Sequence, residues 1–336
     1  MNIKHIRIQN FKSIRDLELD VRRVNVFIGE PNTGKSNVLE ALSLLSENLF
    51  EGDNFRSVVR FQSFGDFFFD NDISKTVRIQ ADQRAFELGA SQSGSHFGTL
   101  NCKLENKAAE NDKERSILFS LDPKGKVFND TYPLYSLKDK GFRRYIFEKL
   151  EKFQPLILPY LKPPFGENLP QVLHNHPNLR KQVSDILRER GFRLLLKPVE
   201  SEINLAKEVN EELFSYPFQT VSETWKRIIF MLAVLETNQD QVLILDEPEA
   251  NIFPFFNTQI AETIGLYNTN QFFITTHNPY LLQSLIAKTP RKDLCVFVTR
   301  MENFETKVQQ MDAEQLSEAM DLGSGIFFNL DDVVPA

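Results

Sequence analysis

Gly29-Glu30-Pro31-Asn32-Thr33-Gly34-Lys35-Ser36 is the stretch on which the fold of this chain turns. It fits the pattern G-x-x-x-x-G-K-[ST] at every fixed position. A triphosphate needs many donors converging on one concavity. Successive backbone N–H groups of a Gly-rich turn supply them, and the N-terminus of a following helix adds its partial positive charge. Gly29 and Gly34 allow a tight turn and close approach of the backbone. Lys35 is placed to reach the β- and γ-phosphates and Ser36 to ligate Mg²⁺. The expected binding set runs from Gly29 through Ser36 and includes Asn37.

The flanking sequence has the required context. Val24 to Ile28 is an apolar, strand-like run, and after Lys35 the residues Val38, Leu39, Leu42 and Leu45 recur at helical spacing. Far along the chain, Leu243-Ile244-Leu245 ends in Asp246-Glu247. A buried aliphatic strand that ends in two acids delivers them to the C-terminal edge of a parallel sheet, where ligands of such sheets bind. Asp246 is the expected Mg²⁺ ligand and Glu247 the group that polarises the attacking water. A second apolar strand, Gln271 to Thr275, leads to His277, whose neutral imidazole suits a hydrogen bond to the γ-phosphate or to that water.

Strand–helix alternation over 216–336 predicts a mixed, mainly parallel α/β sheet with helices packed on it. Strands are expected near 3–8, 17–21, 24–28, 76–81, 84–88, 116–121, 242–245, 271–275 and 294–298. Helices are expected at 222–237 and about 255–266. Phe142, Ile146, Leu150 and Phe153 read as a helical stripe, as do Leu179, Val183, Ile186 and Leu187. Prolines 155, 159, 163 and 164 stand between the two stripes and argue against a continuous coiled-coil arm. The expected organisation is an ATPase core from residues 1–48 and 216–336, with 49–215 inserted as a β-rich lobe followed by a helical segment.

The chain has 336 residues, 41% of them hydrophobic and 25% charged, within the range of globular proteins. Its two cysteines are too few and too far apart for a disulfide framework or a metal cluster, which suits a cytoplasmic protein. No apolar run approaches the roughly 20 residues that span a bilayer, so no membrane association is expected. A formal charge of −7 argues against non-specific coating of nucleic acid. Phe67-Phe68-Phe69 and the group Phe253, Phe255 and Phe256 read as core, with a protein interface as the alternative.

Phosphate loop, Asp-Glu pair and strand-end His, in that order, resemble the ABC ATPase class. Three stretches resemble its SMC/RecF/OLD-like branch: Ile6-Arg7-Ile8-Gln9-Asn10-Phe11-Lys12-Ser13-Ile14, Ser36-Asn37-Val38-Leu39-Glu40-Ala41-Leu42, and Asp246-Glu247-Pro248-Glu249-Ala250-Asn251-Ile252-Phe253-Pro254. The last is similar to the D-E-P-E-x-x-L-H-P of OLD-type ATPases, with Phe253 where that pattern has His. The class signature, a Gly-containing turn before a helix, is matched by Ser222 and Arg227 of Val221-Ser222-Glu223-Thr224-Trp225-Lys226-Arg227, but Thr224 replaces the glycine. In the class this turn meets the γ-phosphate bound by an opposing subunit. An ordinary capped helix start is the other reading of Ser222. The class also has a Mg²⁺-sensing Gln, for which Gln62 is the candidate; a solvated strand Gln is the alternative.

The resemblance implies an ATPase that uses ATP and Mg²⁺, slow because of Thr224, and a homo-oligomer, a head-to-tail dimer or higher. It further implies an anti-phage switch that regulates a separate effector such as a nuclease or toxin. With 59 residues after His277, no TOPRIM nuclease domain is expected. The alternative is a DNA-repair or chromosome-associated clamp of RecF/SMC kind, in which DNA is the partner; a transporter subunit fits the opening motif less well.

Overall fold

The computed structural model describes residues 2–46, 55–90, 99–106, 116–128, 141–266 and 269–335. Alternating burial of Ile6, Ile8 and Phe11 against Leu17 and Leu19 drives the first hairpin. Strands β1 (His5–Phe11) and β2 (Ile14–Asp20) pair antiparallel from Phe11↔Ile14 to His5↔Asp20. The two residues of their tight turn include Lys12 at φ 52. Strand β3 (Val24–Gly29) leads through the phosphate loop into helix α1 (Lys35–Ser43).

Strands from the expected insertion pair with the first hairpin. β4 (Val77–Ala81), β5 (Arg84–Ala90), β6 (Leu100–Asn106), β7 (Ser116–Leu121) and β8 (Val127–Phe128) extend the first hairpin into a sheet of order β2-β1-β4-β5-β6-β7-β8. The seam is β1 against β4, with Ile8 opposite Ile79. The expected boundary at 48/49 lies outside the described residues.

The expected helical stripe from Phe142 is a strand instead. β9 (Phe142–Tyr145) pairs parallel with β13 (Val242–Asp246), Phe142 opposite Val242. Four residues are too few to distinguish a period of 3.6 from an extended run, and the free edge of β13 offers a ladder. Beyond β9 the apolar residues anchor an irregular segment: the Tyr145 hydroxyl donates to Leu161 O at 2.6 Å, Phe147 meets Phe230 edge-on, and Phe153 packs on Phe218. Helices α2 (Leu169–Asn175) and α3 (Pro177–Arg188) follow, the latter on the expected stripe. A three-stranded antiparallel sheet comes next, β10 (Arg193–Lys197), β11 (Glu202–Val209) and β12 (Glu212–Pro217).

Helix α4 (Glu223–Thr237) returns the chain to β13, and α5 (Pro254–Leu266), β14 (Gln271–Thr275), α6 (Pro279–Lys288), β15 (Leu294–Glu302), β16 (Glu305–Gln310) and α7 (Ala313–Leu322) complete it. The central sheet has the order β16-β15-β3-β14-β13-β9, parallel throughout except for β16. Its inner strands are apolar on both faces because each face has its own core. Leu243 and Leu245, Phe272 and Ile274, and Val24, Val26 and Ile28 face the core shared with α4, α5 and α6. Val242, Ile244, Phe273, Phe27 and Phe297 face α1 and the antiparallel sheet. Phe67 and Phe68 join that second core, whereas Phe253 and Phe255 are mostly exposed. Among the described residues no helix is long and apolar enough to cross a membrane.

Candidate functional site

The parallel register aligns the C-terminal ends of three adjacent strands. Thr275 of β14 lies opposite Asp246 of β13 on one side and Phe27 of β3 on the other. The phosphate loop after β3, the acids after β13 and His277 after β14 therefore share one edge of the sheet.

The loop is held by its backbone and by a group of hydroxyls. Gly29 has φ +144 and Gly34 φ +95, and Asn32 stands at φ 63. A Cβ on Gly34 would collide with the Thr306 hydroxyl and one on Gly29 with Thr299, so both positions demand glycine for space as well as for conformation. Thr33 donates to Glu30 O at 2.9 Å and shares a hydrogen bond with Thr299 Oγ1 at 2.6 Å. Asn37 Nδ2 donates to Ser13 Oγ at 2.7 Å, and Ser13 meets Thr306 Oγ1 at 2.6 Å. Glu30 and Pro31 form the solvent-exposed crest of the loop. Lys35, buried, folds its ammonium onto the carbonyls of Gly29 (2.9 Å) and Glu30 (2.6 Å). Burial lowers its pKa, opposed by the charges of Glu247, Asp246 and Glu30. A polyphosphate gives this cation a stronger partner than the neutral carbonyls that now hold it.

Ser36 Oγ donates to Asp246 Oδ1 at 3.2 Å, and the Thr275 hydroxyl donates to the same oxygen. A hydroxyl and a carboxylate are hard oxygen donors, the set that Mg²⁺ takes when substrate phosphates and water supply the rest. The residues present thus fit that ion; among the described residues no cluster of three or more His, Cys, Asp or Glu offers a richer metal site. Glu247 stands at φ 47, a conformation that costs a non-glycine residue and recurs at functional sites. Its Oε1 lies 3.4 Å from His277 Nε2. Burial first, then Lys35, lowers the His277 pKa against the pull of Glu247 and Asp246, favouring neutral imidazole.

The remaining expected residues lie at the margins. Arg227 donates to Glu223 Oε1 at 2.9 Å and stacks over Phe147 at 4.5 Å, in a small cavity also lined by Asp246 and Glu247. Glu223 is drawn down to about 2 by hydrogen bonds from Lys149, Asn251 and Arg227. Ser222 is exposed at the start of α4, and its side chain makes no capping hydrogen bond. Gln62 lies in an open cleft of about 620 Å³ with Lys12, Arg56, Arg60, Phe61 and Asp66. The partners of Ser36 and Asp246 among the described residues are each other, Thr275 and Arg144, not Gln62.

Loop, acids and histidine on this sheet define an ABC-type P-loop ATPase fold. Residues 1–162 match the family model described as AAA ATPase domain. A curated relative, an ATP/GTP phosphatase of Helicobacter pylori (strain ATCC 700392 / 26695), is 22% identical over 331 residues, covering 87% of this chain and 89% of that protein. Among solved structures, an SMC head bound to the C-winged helix domain of ScpA superposes with a TM-score of 0.54 at 13% identity, covering 95% of this chain and 100% of that one. The SMC head domain from Thermotoga maritima gives 0.43 at 14% identity, covering 93% and 100%. The chain is an ATPase with an SMC-head-like fold.

Glu249 had no role assigned from sequence. It lies three residues beyond Asp246 and is 6% exposed. Its Oε1 accepts from the Thr276 hydroxyl at 2.5 Å and from His277 N at 3.2 Å, so it ties the end of β13 to the backbone that carries the histidine. Burial pushes its carboxyl up from 4.5 to about 7, opposed by those hydrogen bonds and reinforced by the Glu247 charge. The unfolded chain releases this proton near the ordinary value, whereas the folded protein keeps it to about 7. Stability is therefore lost as pH rises between those values, on the order of 3 kcal/mol in full. Glu249→Gln keeps an oxygen acceptor and removes the ionisation. The variant should gain stability relative to wild type at pH 8 and gain less at pH 5.5, measured by urea denaturation at both; an equal difference at the two pH values would show that Glu249 does not carry the proton.

Proposed function

We propose that this ATPase works as an ATP–Mg²⁺ switch that oligomerises and regulates a separate effector protein. The observation that carries the chemical part is the convergence of Lys35, Ser36, Asp246, Glu247 and His277 on one sheet edge. In this reading the loop from Gly29 to Asn37 binds the phosphates, with Lys35 leaving its carbonyl partners for them. Ser36 and Asp246 hold Mg²⁺, which when bound neutralises phosphate charge. Glu247 takes up or orients the proton of the attacking water, and His277 fixes the geometry of Glu247 and the γ-phosphate. Arg227 and Ser222 at the start of α4 belong to a surface that an opposing subunit completes, head to tail. The exposed Phe253 and Phe255 beside it suit a protein interface. Anti-phage defence, with a nuclease or toxin as effector, is the biological setting that the OLD-like motifs suggest, and a cytoplasmic location goes with it. The SMC-head likeness favours a second reading, a DNA-associated clamp; steeply salt-dependent DNA binding by the purified chain would select it.

Lys35→Ala should weaken Mg·ATP binding by about 10- to 100-fold, the value of a charge-assisted contact; calorimetry giving equal affinities would refute the assignment of the loop. Glu247→Gln should retain ATP while slowing hydrolysis by about 10²- to 10⁴-fold. An unchanged single-turnover rate would remove Glu247 from the chemistry.

With Thr224 in place of glycine, ATP alone gives a weak bias toward the paired state. The chain should therefore be an oligomer before nucleotide is added, held in part by 49–215. Light scattering of the Glu247→Gln protein should give the same mass with and without ATP. A clean monomer-to-dimer transition on adding ATP would overturn this.

A further inference from the structure

Asp246 meets a buried guanidinium that none of the roles above includes. Arg144 is 6% exposed, and its Nη2 lies 3.6 Å from Asp246 Oδ2. The parallel ladder places it there. Arg144 lies opposite Ile244, and Asp246, two residues on, shares the face of Ile244. Helix α1 packs on that face. Ser36 and Glu40, one turn apart, both point to it: Ser36 reaches Asp246 Oδ1, and Glu40 is wholly buried beside Arg144. Glu40 also pairs with Lys12 and with Arg60, whose Nε lies 2.5 Å from it. Arg144 Nη1 donates to Val58 O, which anchors the guanidinium to the segment following α1.

A lone carboxylate on a strand end can rotate about its terminal bond. Here Oδ1 takes the hydroxyls of Ser36 and Thr275, and Oδ2 faces Arg144, so the plane is defined from both sides. The 3.6 Å separation exceeds a direct hydrogen bond. The guanidinium therefore orients Oδ2 without occupying its lone pairs. Val58 O holds Arg144 from the other side, while the buried charge of Glu40 draws on it electrostatically; this keeps it from closing to a bidentate pair that would compete with a cation for Asp246.

We propose that Arg144, held between Val58 O and Asp246, is a positioning residue that presets the Asp246 carboxylate for magnesium. The proposal rests on the assignment of Ser36 and Asp246 as the metal site. Partners of this kind behind a metal ligand typically govern about 10- to 100-fold of metal affinity.

The test compares ATP affinity by calorimetry in excess Mg²⁺ and in EDTA for wild type, Arg144→Lys and Arg144→Met. The ratio of the two affinities is the magnesium gain. Arg144→Met should lower this gain about tenfold or more and leave the affinity in EDTA within about twofold. Arg144→Lys, which keeps the charge and loses the fork, should fall between it and wild type. Equal losses with and without metal would make Arg144 a general structural support and overturn the proposal. Should Arg144→Met not fold, Arg144→Lys decides alone, since an unchanged gain in that variant also overturns it. A wild type with no magnesium gain would instead bring down the Ser36–Asp246 metal assignment itself.

Discussion

The parallel ladder β3-β14-β13 is the constraint on which the rest depends. Its strands are buried on both faces, so each backbone N–H and C=O must find its partner within the sheet. That requirement sets a single register, and the register brings Phe27, Thr275 and Asp246 level. Phosphate loop, carboxylates and histidine follow from three strands that end together. A shift of one residue in β14 would turn Phe273 from one core to the other and separate His277 from Glu247.

Helix α1 converts that alignment into a site. It lies between the central sheet and the antiparallel sheet, and one of its faces presents Ser36 and Glu40 to the end of β13 and to β9. Burying Glu40 completely is costly unless it is paired. Lys12 from the first hairpin and Arg60 from the segment before β4 provide the pairing, and Arg144 adds its charge from β9. The acid thus links parts of the chain that are distant in sequence, and the same charges surround Asp246.

Some of the chain's left-handed backbone positions stand at this edge. Asn32, Gly34 and Glu247 all have positive φ, and the space around Gly29 and Gly34 is filled by Thr299 and Thr306 of the β15–β16 hairpin. The hairpin therefore shapes the phosphate loop from behind, through hydroxyls. Glu249 does the same for the histidine, through its hydrogen bond to the backbone of His277. These contacts hold conformations that the segments would not retain alone.

The phosphate loop, the Asp246-Glu247 pair and the strand before His277 were legible in the sequence because each is a short local pattern: glycines where the backbone must turn, aliphatics where both faces are buried, acids where the strand ends. Phe142 to Phe153 misled because a four-residue strand has too few positions to display its period, and only the free edge of β13 decided its conformation. That the strands β4 to β8 continue the sheet of the first hairpin was not legible, because no local signal tells which strand Val77 to Ala81 will pair with. Arg144 shows the same limit at the site. The sequence by itself determined which groups can bind phosphate, hold a cation and move a proton. Tertiary structure alone decided which of them meet, because the contacts of Asp246 with Arg144 and with Ser36 arise from strand order and helix packing between residues a hundred or more positions apart.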